Sequence, residues 1–433
     1  EQGVFRHGAL YGRGPATEDQ RCTLRRVRLQ NDWLTVDVFP EQAAAVGRVR
    51  HRPTDTDFFY WEEAVKNWLP YWESGVKTSF PYPEHGMATF QSAAYRIIED
   101  DDGTVSVAAW MAFSRYIGSQ HRAMNGRYSP LFLSQHIRLE ADSALLSITY
   151  RISNPVGYAQ GRRLWNDAIF PRWDHPETGA ASGLTRNPGA TEAQWLLPVA
   201  WASDHLGKKL QRLEGATLPL ASLTEGSRSL FAWDRPLPFA GLYYPATDTN
   251  RLRIDDPSVA PGAKCWWPAE IPADRQMHST FNIAELWGGF DHVFEGVEHW
   301  LAPGASASFT HCFGLVRGFG PCRYADEHFA LCRPSTEELA LIPWRSHDDC
   351  RVSRDGQAMA AGPGDPINAL RFACPEQWQG ELAIELEGGD PIVLRWPPTI
   401  PDDRSNHQRL KELLQSPINI ERQGPAFNRG MYR

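Results

Sequence analysis

Phe281-Asn-Ile-Ala-Glu-Leu-Trp-Gly-Gly-Phe290, followed by Leu301-Ala-Pro-Gly304 and the alternating run Ala305 to Phe313, sets the pattern for the whole chain. The first stretch has the composition of a strand and carries a carboxylate, Glu285, two residues from an indole, Trp287. Gly288-Gly289 is expected to let the backbone turn without steric cost. A Pro-Gly turn then leads into a second strand. An indole stacks on the apolar face of a pyranose, while a carboxylate accepts its hydroxyl hydrogen bonds or takes a proton. A surface Glu beside a core Trp is the competing account, and the rest of the chain has to decide between them.

The remaining residues support a large β protein. The chain has 433 residues, enough for one large all-β unit and an appendage, and its 42% hydrophobic and 22% charged residues suit a buried core. A formal net charge of −8 argues against a nucleic-acid or anionic-membrane partner. No run approaches the ~18 apolar residues of a membrane-spanning helix. The 17 Trp, 13 Tyr and 20 Phe sit largely among polar, Gly- and Pro-rich segments, as stacking platforms on loops would. Seven cysteines leave at least one thiol unpaired within the chain, and Cys312, Cys322 and Cys332 lack zinc-site spacing, so buried free thiols are expected. The chain begins at Glu1, which fits a processed or a cut end, so the compartment stays open between secreted or periplasmic and cytoplasmic, with a soluble protein expected in either.

Period-two runs occur at 22–38, 93–99, 105–113, 134–139, 145–152, 241–244, 307–313, 370–372, 382–387 and 392–396, separated by turn clusters such as Asp100-Asp-Asp-Gly103 and Glu387-Gly-Gly-Asp390. Helical signals are confined to 323–332 and 402–415. A break at 318–321 divides the chain into an N-terminal arm at 1–24, a β unit at 25–320 and a small α+β C-terminal region at 321–433.

Three places carry a family resemblance. Phe58-Phe-Tyr60 with Ser79-Phe-Pro-Tyr-Pro-Glu-His-Gly86 resembles the approach to a substrate His. Asn154-Pro155 with Leu164-Trp-Asn-Asp-Ala-Ile-Phe-Pro171 resembles a strand bearing a second His. Ala284-Glu-Leu-Trp-Gly-Gly289 with Leu301-Ala-Pro-Gly304 resembles a Glu-bearing strand and its turn. Together they are similar to the galactose mutarotase-like β-supersandwich of the aldose 1-epimerase superfamily, and most to the mutarotase-like domains that precede tetratricopeptide arrays. The resemblance covers roughly 25–320. It implies a sugar ligand on the concave face of a sandwich, with Glu285 as base or nucleophile and His85 as its first partner.

The chain departs from that pattern in the middle motif, where Trp165, Asn166 and Asp167 stand in place of the acidic His. Ring opening needs an acid at the ring oxygen, which Asn cannot be and Asp167 can be only with a raised pKa. The sequence therefore nominates Glu285, His85 and Asp167 for catalysis. Asn166, Trp287, Arg172, Trp72, His278, Arg115 and Tyr116 are nominated for binding, and one of His278, His292 and His299 is expected to face the groove. Trp61, Trp68, Tyr71 and Trp72 read as a subsite wall or as one face of a core helix. A set of arginines, tyrosines and histidines (Arg115, Tyr116, His121, Arg122, Arg127, Tyr128 and His136, with Arg162, Arg163 and Arg172) suits a carboxylate-bearing substrate and β-elimination, or else a solvated basic loop. The function classes left open are an epimerase-like enzyme, a lyase on uronate-containing glycans, a hydrolase with paired carboxylates, and a non-catalytic carbohydrate binder. No P-loop or dinucleotide fingerprint appears, so no cofactor is expected, and no spacing points to a metal.

Overall fold

The computed structural model describes residues 2–5, 20–61, 74–80, 91–113, 129–161, 164–174, 191–203, 210–213, 217–220, 229–232, 235–260, 262–267, 283–290, 300–400 and 402. These residues form antiparallel β-structure with one short 3-10 turn at Pro40–Gln42. Two large sheets dominate, one of eleven strands and one of nine. In the nine-strand sheet, Ala94–Glu99, Val105–Phe113, Ser129–Leu139, Leu146–Ser153, Ser306–Arg317 and Thr249–Asp255 lie side by side. Burial alternates along Leu146–Ser153, with Leu146, Ile148, Tyr150 and Ile152 inward, as a half-covered strand requires.

The centre of the eleven-strand sheet reads differently. Every residue of Trp165–Pro171 and Ile283–Gly289 is buried, so both faces of these strands are covered. One face meets the nine-strand sheet across a core in which Phe58, Phe59, Phe170 and Phe313 gather at ring-centroid separations of 4.6 to 6.2 Å. Each such side chain contributes roughly 1.5–3 kcal/mol by leaving water. A polar layer crosses this core. Asp255 contacts both Arg253 (Nε to Oδ2 3.0 Å) and Arg235, and Asn166 contacts His311. Burial, and then the two guanidiniums, push the His311 imidazole well below its usual range, so it is neutral.

Gly288 and Gly289 do not turn the chain. Both remain in the strand, and their missing side chains serve close approach. A Cβ at Gly288 would sit 2.7 Å from an Arg253 nitrogen, and one at Gly289 would sit 2.1 Å from the Leu164 carbonyl oxygen.

After Gly320, two four-strand sheets follow between Cys322 and Trp396. The helix expected over 323–332 is absent. Cys322–Ala325 and Phe329–Ser335 are paired strands instead, because Phe329, Ala330, Leu331 and Cys332 are buried on both sides and a helix of that length could not cover them all. The helix expected over 402–415 lies outside the described residues apart from Asp402. Leu252, Ile254 and Val316 pack on Ala330, Ile342 and Trp344, so these sheets cover part of the outer face of the nine-strand sheet. Asn250 fastens the crossing by accepting from the Cys322 N–H and donating to the Gly320 carbonyl, both at 2.8 Å. Cys265, Cys322, Cys332, Cys350 and Cys374 are buried and Cys312 is half-buried, and these six are free thiols.

Candidate functional site

Directly opposed residues of neighbouring antiparallel strands point to the same face. The register of five strands therefore lines up Phe231, Lys264, Trp287, Asp167 and Lys77 in one row. A second row beside it holds Ser229, Trp266, Glu285 and Ile169. Both rows face away from the nine-strand sheet, because the alternate residues Leu230, Cys265, Leu286, Ala284 and Ala168 belong to the core between the sheets.

All the polar members are buried: Glu285 and Lys264 are 4% exposed, Lys77 3% and Asp167 0%. Charges in such a place must be compensated within the protein. Lys77 Nζ lies 3.3 Å from Asp167 Oδ2. Trp287 donates its indole N–H to Glu285 Oε2 at 2.9 Å, and Lys264 Nζ lies 5.2 Å from the centroid of the same indole. Burial pushes the Lys264 ammonium down to about 8, while the Glu285 carboxylate pulls it back up. The face thus combines an aromatic wall, two carboxylates and two amines, one of which exchanges its proton near neutral pH. Among the described residues, no three His, Cys, Asp or Glu side chains gather as a metal site would.

Of the residues nominated from sequence, Glu285, Trp287 and Asp167 come together. Asn166 does not. It follows Trp165 and precedes Asp167 on one strand, so it points to the opposite face and contacts His311 between the sheets. Arg172 lies just past the same strand, but its guanidinium grips Glu192 through Nε and Nη2, each at 2.7 Å, and lies against Trp173. His136 is on the nine-strand sheet, bonded to Ser106 at 3.0 Å, and does not join Glu285. Trp61 stacks on Phe39 at 5.7 Å. His85, Trp68, Tyr71, Trp72, Arg115, Tyr116, His121, Arg122, Arg127, Tyr128, Arg162, Arg163, His278, His292 and His299 lie outside the described residues. Lys77 and Lys264 escaped the sequence reading. Each lies in a strand of four residues, Val76–Ser79 and Ala263–Trp266, too short to show by periodicity which face its lysine takes.

No family model matches the chain, and no curated protein matches it in sequence. Solved structures do match in fold. A TPR-domain containing protein from Parabacteroides distasonis ATCC 8503 superposes with a TM-score of 0.54 at 16% identity, covering 73% of this chain and 54% of that one. This chain thus spans about half the length of that relative. The Slr1438 protein from Synechocystis sp. PCC 6803 gives 0.49 at 13% identity, over 68% of this chain and 96% of that one. A galactose mutarotase-like protein from Lactobacillus casei ATCC 334 gives 0.47 at 13% identity, over 67% of this chain and all of that one. At such identities the likeness is one of fold alone.

Proposed function

We propose that the protein binds a sugar or oligosaccharide on the face of the eleven-strand sheet that carries Glu285, and performs acid–base chemistry there with Glu285 as base or nucleophile. The observation that carries this is the buried cluster of Glu285, Trp287, Lys264, Asp167 and Lys77 in two adjacent rows of one sheet face. An apolar sandwich has no structural use for four ionisable groups on a covered face, and a polyhydroxylated ligand does. Trp287 holds the Glu285 carboxylate by one oxygen, which orients it. Asp167, paired with an ammonium, is an acceptor for sugar hydroxyls rather than a proton donor. A β-elimination on uronates draws less support, because the Arg172 fork already holds Glu192.

The test is Glu285→Gln, with a panel of neutral aldoses, oligosaccharides and uronate-containing glycans. Binding is followed by calorimetry. Turnover is followed by polarimetry, new reducing ends and unsaturated product. The substitution keeps an acceptor for the Trp287 N–H, so folding and binding are expected to persist while the rate falls roughly 10²–10⁴-fold. A variant within a few-fold of the parent would remove Glu285 from the chemistry.

A further inference from the structure

Cys322–Ala325 is the edge strand of a four-strand sheet and pairs with Phe329–Ser335, in a register that sets Cys322 directly opposite Cys332. Two kinds of opposed pair alternate along antiparallel strands, and the hydrogen bonds tell which kind this is. The Cys322 N–H donates to Asn250 Oδ1 rather than across to Cys332, while the Arg333 N–H donates to the Pro321 carbonyl at 3.1 Å. The cross-strand bond thus lies beside the two cysteines and not between them, which makes them a non-hydrogen-bonded pair. Such pairs hold their Cα atoms about 4.5 Å apart, inside the roughly 4.4–6.8 Å that a disulfide spans.

The side chains meet as well. Both belong to the apolar cluster between this sheet and the nine-strand sheet, so both point to the same face. The Cys322 thiol donates to the Tyr324 carbonyl at 3.1 Å, and the Cys332 thiol is hydrogen-bonded to Cys322 in turn. Among the described residues no other cysteine opposes a cysteine. Cys265 stands across from Leu286, Cys312 from Ser147 and Cys350 from Leu386.

We propose that Cys322 and Cys332 form a disulfide site, which a small disulfide such as oxidised glutathione closes into an intrachain cross-link. The exchange balances. One cysteine, as thiolate, attacks a sulfur of the small disulfide, giving a mixed disulfide and releasing one small thiol. The other cysteine attacks the protein sulfur of that mixed disulfide, so the cross-link forms and the second small thiol leaves. The two cysteine protons end on the two small thiols. The protein sulfurs are oxidised and the small disulfide is reduced. With Cys322 1% and Cys332 0% exposed, the closed structure keeps its thiols out of reach, and burial pushes the Cys332 thiol well above its usual range. Reaction therefore goes through folding, or through local opening of a four-residue edge strand. Once formed, the cross-link fixes that edge where Asn250 ties it to the nine-strand sheet.

The test uses the full chain, refolded from urea with oxidised or with reduced glutathione, then denatured and alkylated with iodoacetamide. Trypsin cuts after Arg323, so the two cysteines fall on separate peptides that a disulfide alone joins. Mass mapping is expected to find Cys322 joined to Cys332 after oxidised glutathione, and both alkylated after reduced glutathione. The linked chain is also expected to unfold at higher urea than the reduced one, because the cross-link restricts the unfolded state. Cys322→Ala is expected to erase that difference. Both cysteines alkylated after oxidised glutathione, either one joined to a different cysteine, or a urea difference that survives Cys322→Ala would each overturn the proposal. The parent chain decides the linkage by mass alone, so the proposal stays testable even if the variant folds poorly.

Discussion

Lys77 and Asp167 offer the clearest measure of whether the buried row behaves as a unit. They oppose each other on neighbouring strands, with Nζ and Oδ2 3.3 Å apart and side-chain exposures of 3% and 0%. Lys77→Met removes the ammonium and leaves a carboxylate in a covered sheet, a change that costs about 3–5 kcal/mol when a buried pair is broken. Asp167→Leu strands the ammonium and should cost a similar amount. The double variant puts two apolar side chains of comparable volume in place of the pair, and such replacements are near neutral or stabilising. It is therefore expected to be more stable than either single variant. Urea unfolding followed by tryptophan fluorescence reads this as a shift of midpoint at constant slope. Additive losses, with the double variant as damaged as the two singles together, would refute the coupling and show that each charge is satisfied by other groups. If the coupling holds, the stable double variant also separates folding from the proposed ligand binding, since it keeps the sandwich and loses the Lys77–Asp167 pair.

Two further outcomes follow from the same structure. Gly289→Ala places a Cβ 2.1 Å from the Leu164 carbonyl oxygen, a backbone atom that cannot swing aside, and is expected to cost about 1–3 kcal/mol or more in the same urea assay. A loss under about 0.5 kcal/mol, the size of an ordinary surface change, would contradict the close approach. Burial pushes His51, 1% exposed, down to about 4, so between the ordinary 6.5 and that value the unfolded chain binds a proton that the folded one refuses. Stability is then complete above pH 6.5 and falls as pH drops through the window, by about 3 kcal/mol for this group. His51→Gln should flatten that slope, leaving the part due to His311, and an unchanged slope would show that His51 is not the group titrating.

The sandwich was legible where one face is wet. Runs 105–113, 134–139 and 392–396 alternate in sequence because their strands have a buried and an exposed side, and they fall within Val105–Phe113, Ser129–Leu139 and Ile392–Trp396. Trp165–Pro171, Phe329–Ser335 and Glu338–Pro343 are covered on both sides and do not alternate, so periodicity could not show the last two as strands, and 323–332 passed for a helix. At the site, Glu285 and Trp287 could be paired from their spacing of two. Asn166 and Asp167 could not be told apart, since adjacent residues of a strand take opposite faces and only the register says which face is which. Lys77 and Lys264 were missed because they come from strands distant in sequence, and nothing local announces that a lysine will be buried.

What remains is why charges sit there at all. The outer face of the nine-strand sheet is taken up in part by the C-terminal strands, and that contact is built as a core should be, from Leu252, Ile254, Val316, Ile342 and Trp344. The covered face of the eleven-strand sheet could have been built likewise, and its margins are, with Tyr60, Ile169 and Ile283 packed against Trp266. In the middle of that apolar surround stand Glu285, Lys264, Asp167 and Lys77. A buried ion pair rarely stabilises more than apolar residues of the same size, and breaking one is severe, so the row adds fragility without adding strength. Folding alone does not account for it. The proposed sugar ligand, presenting hydroxyls to both signs of charge and an apolar face to an indole, would account for it, and would find all three within two adjacent rows of a single sheet.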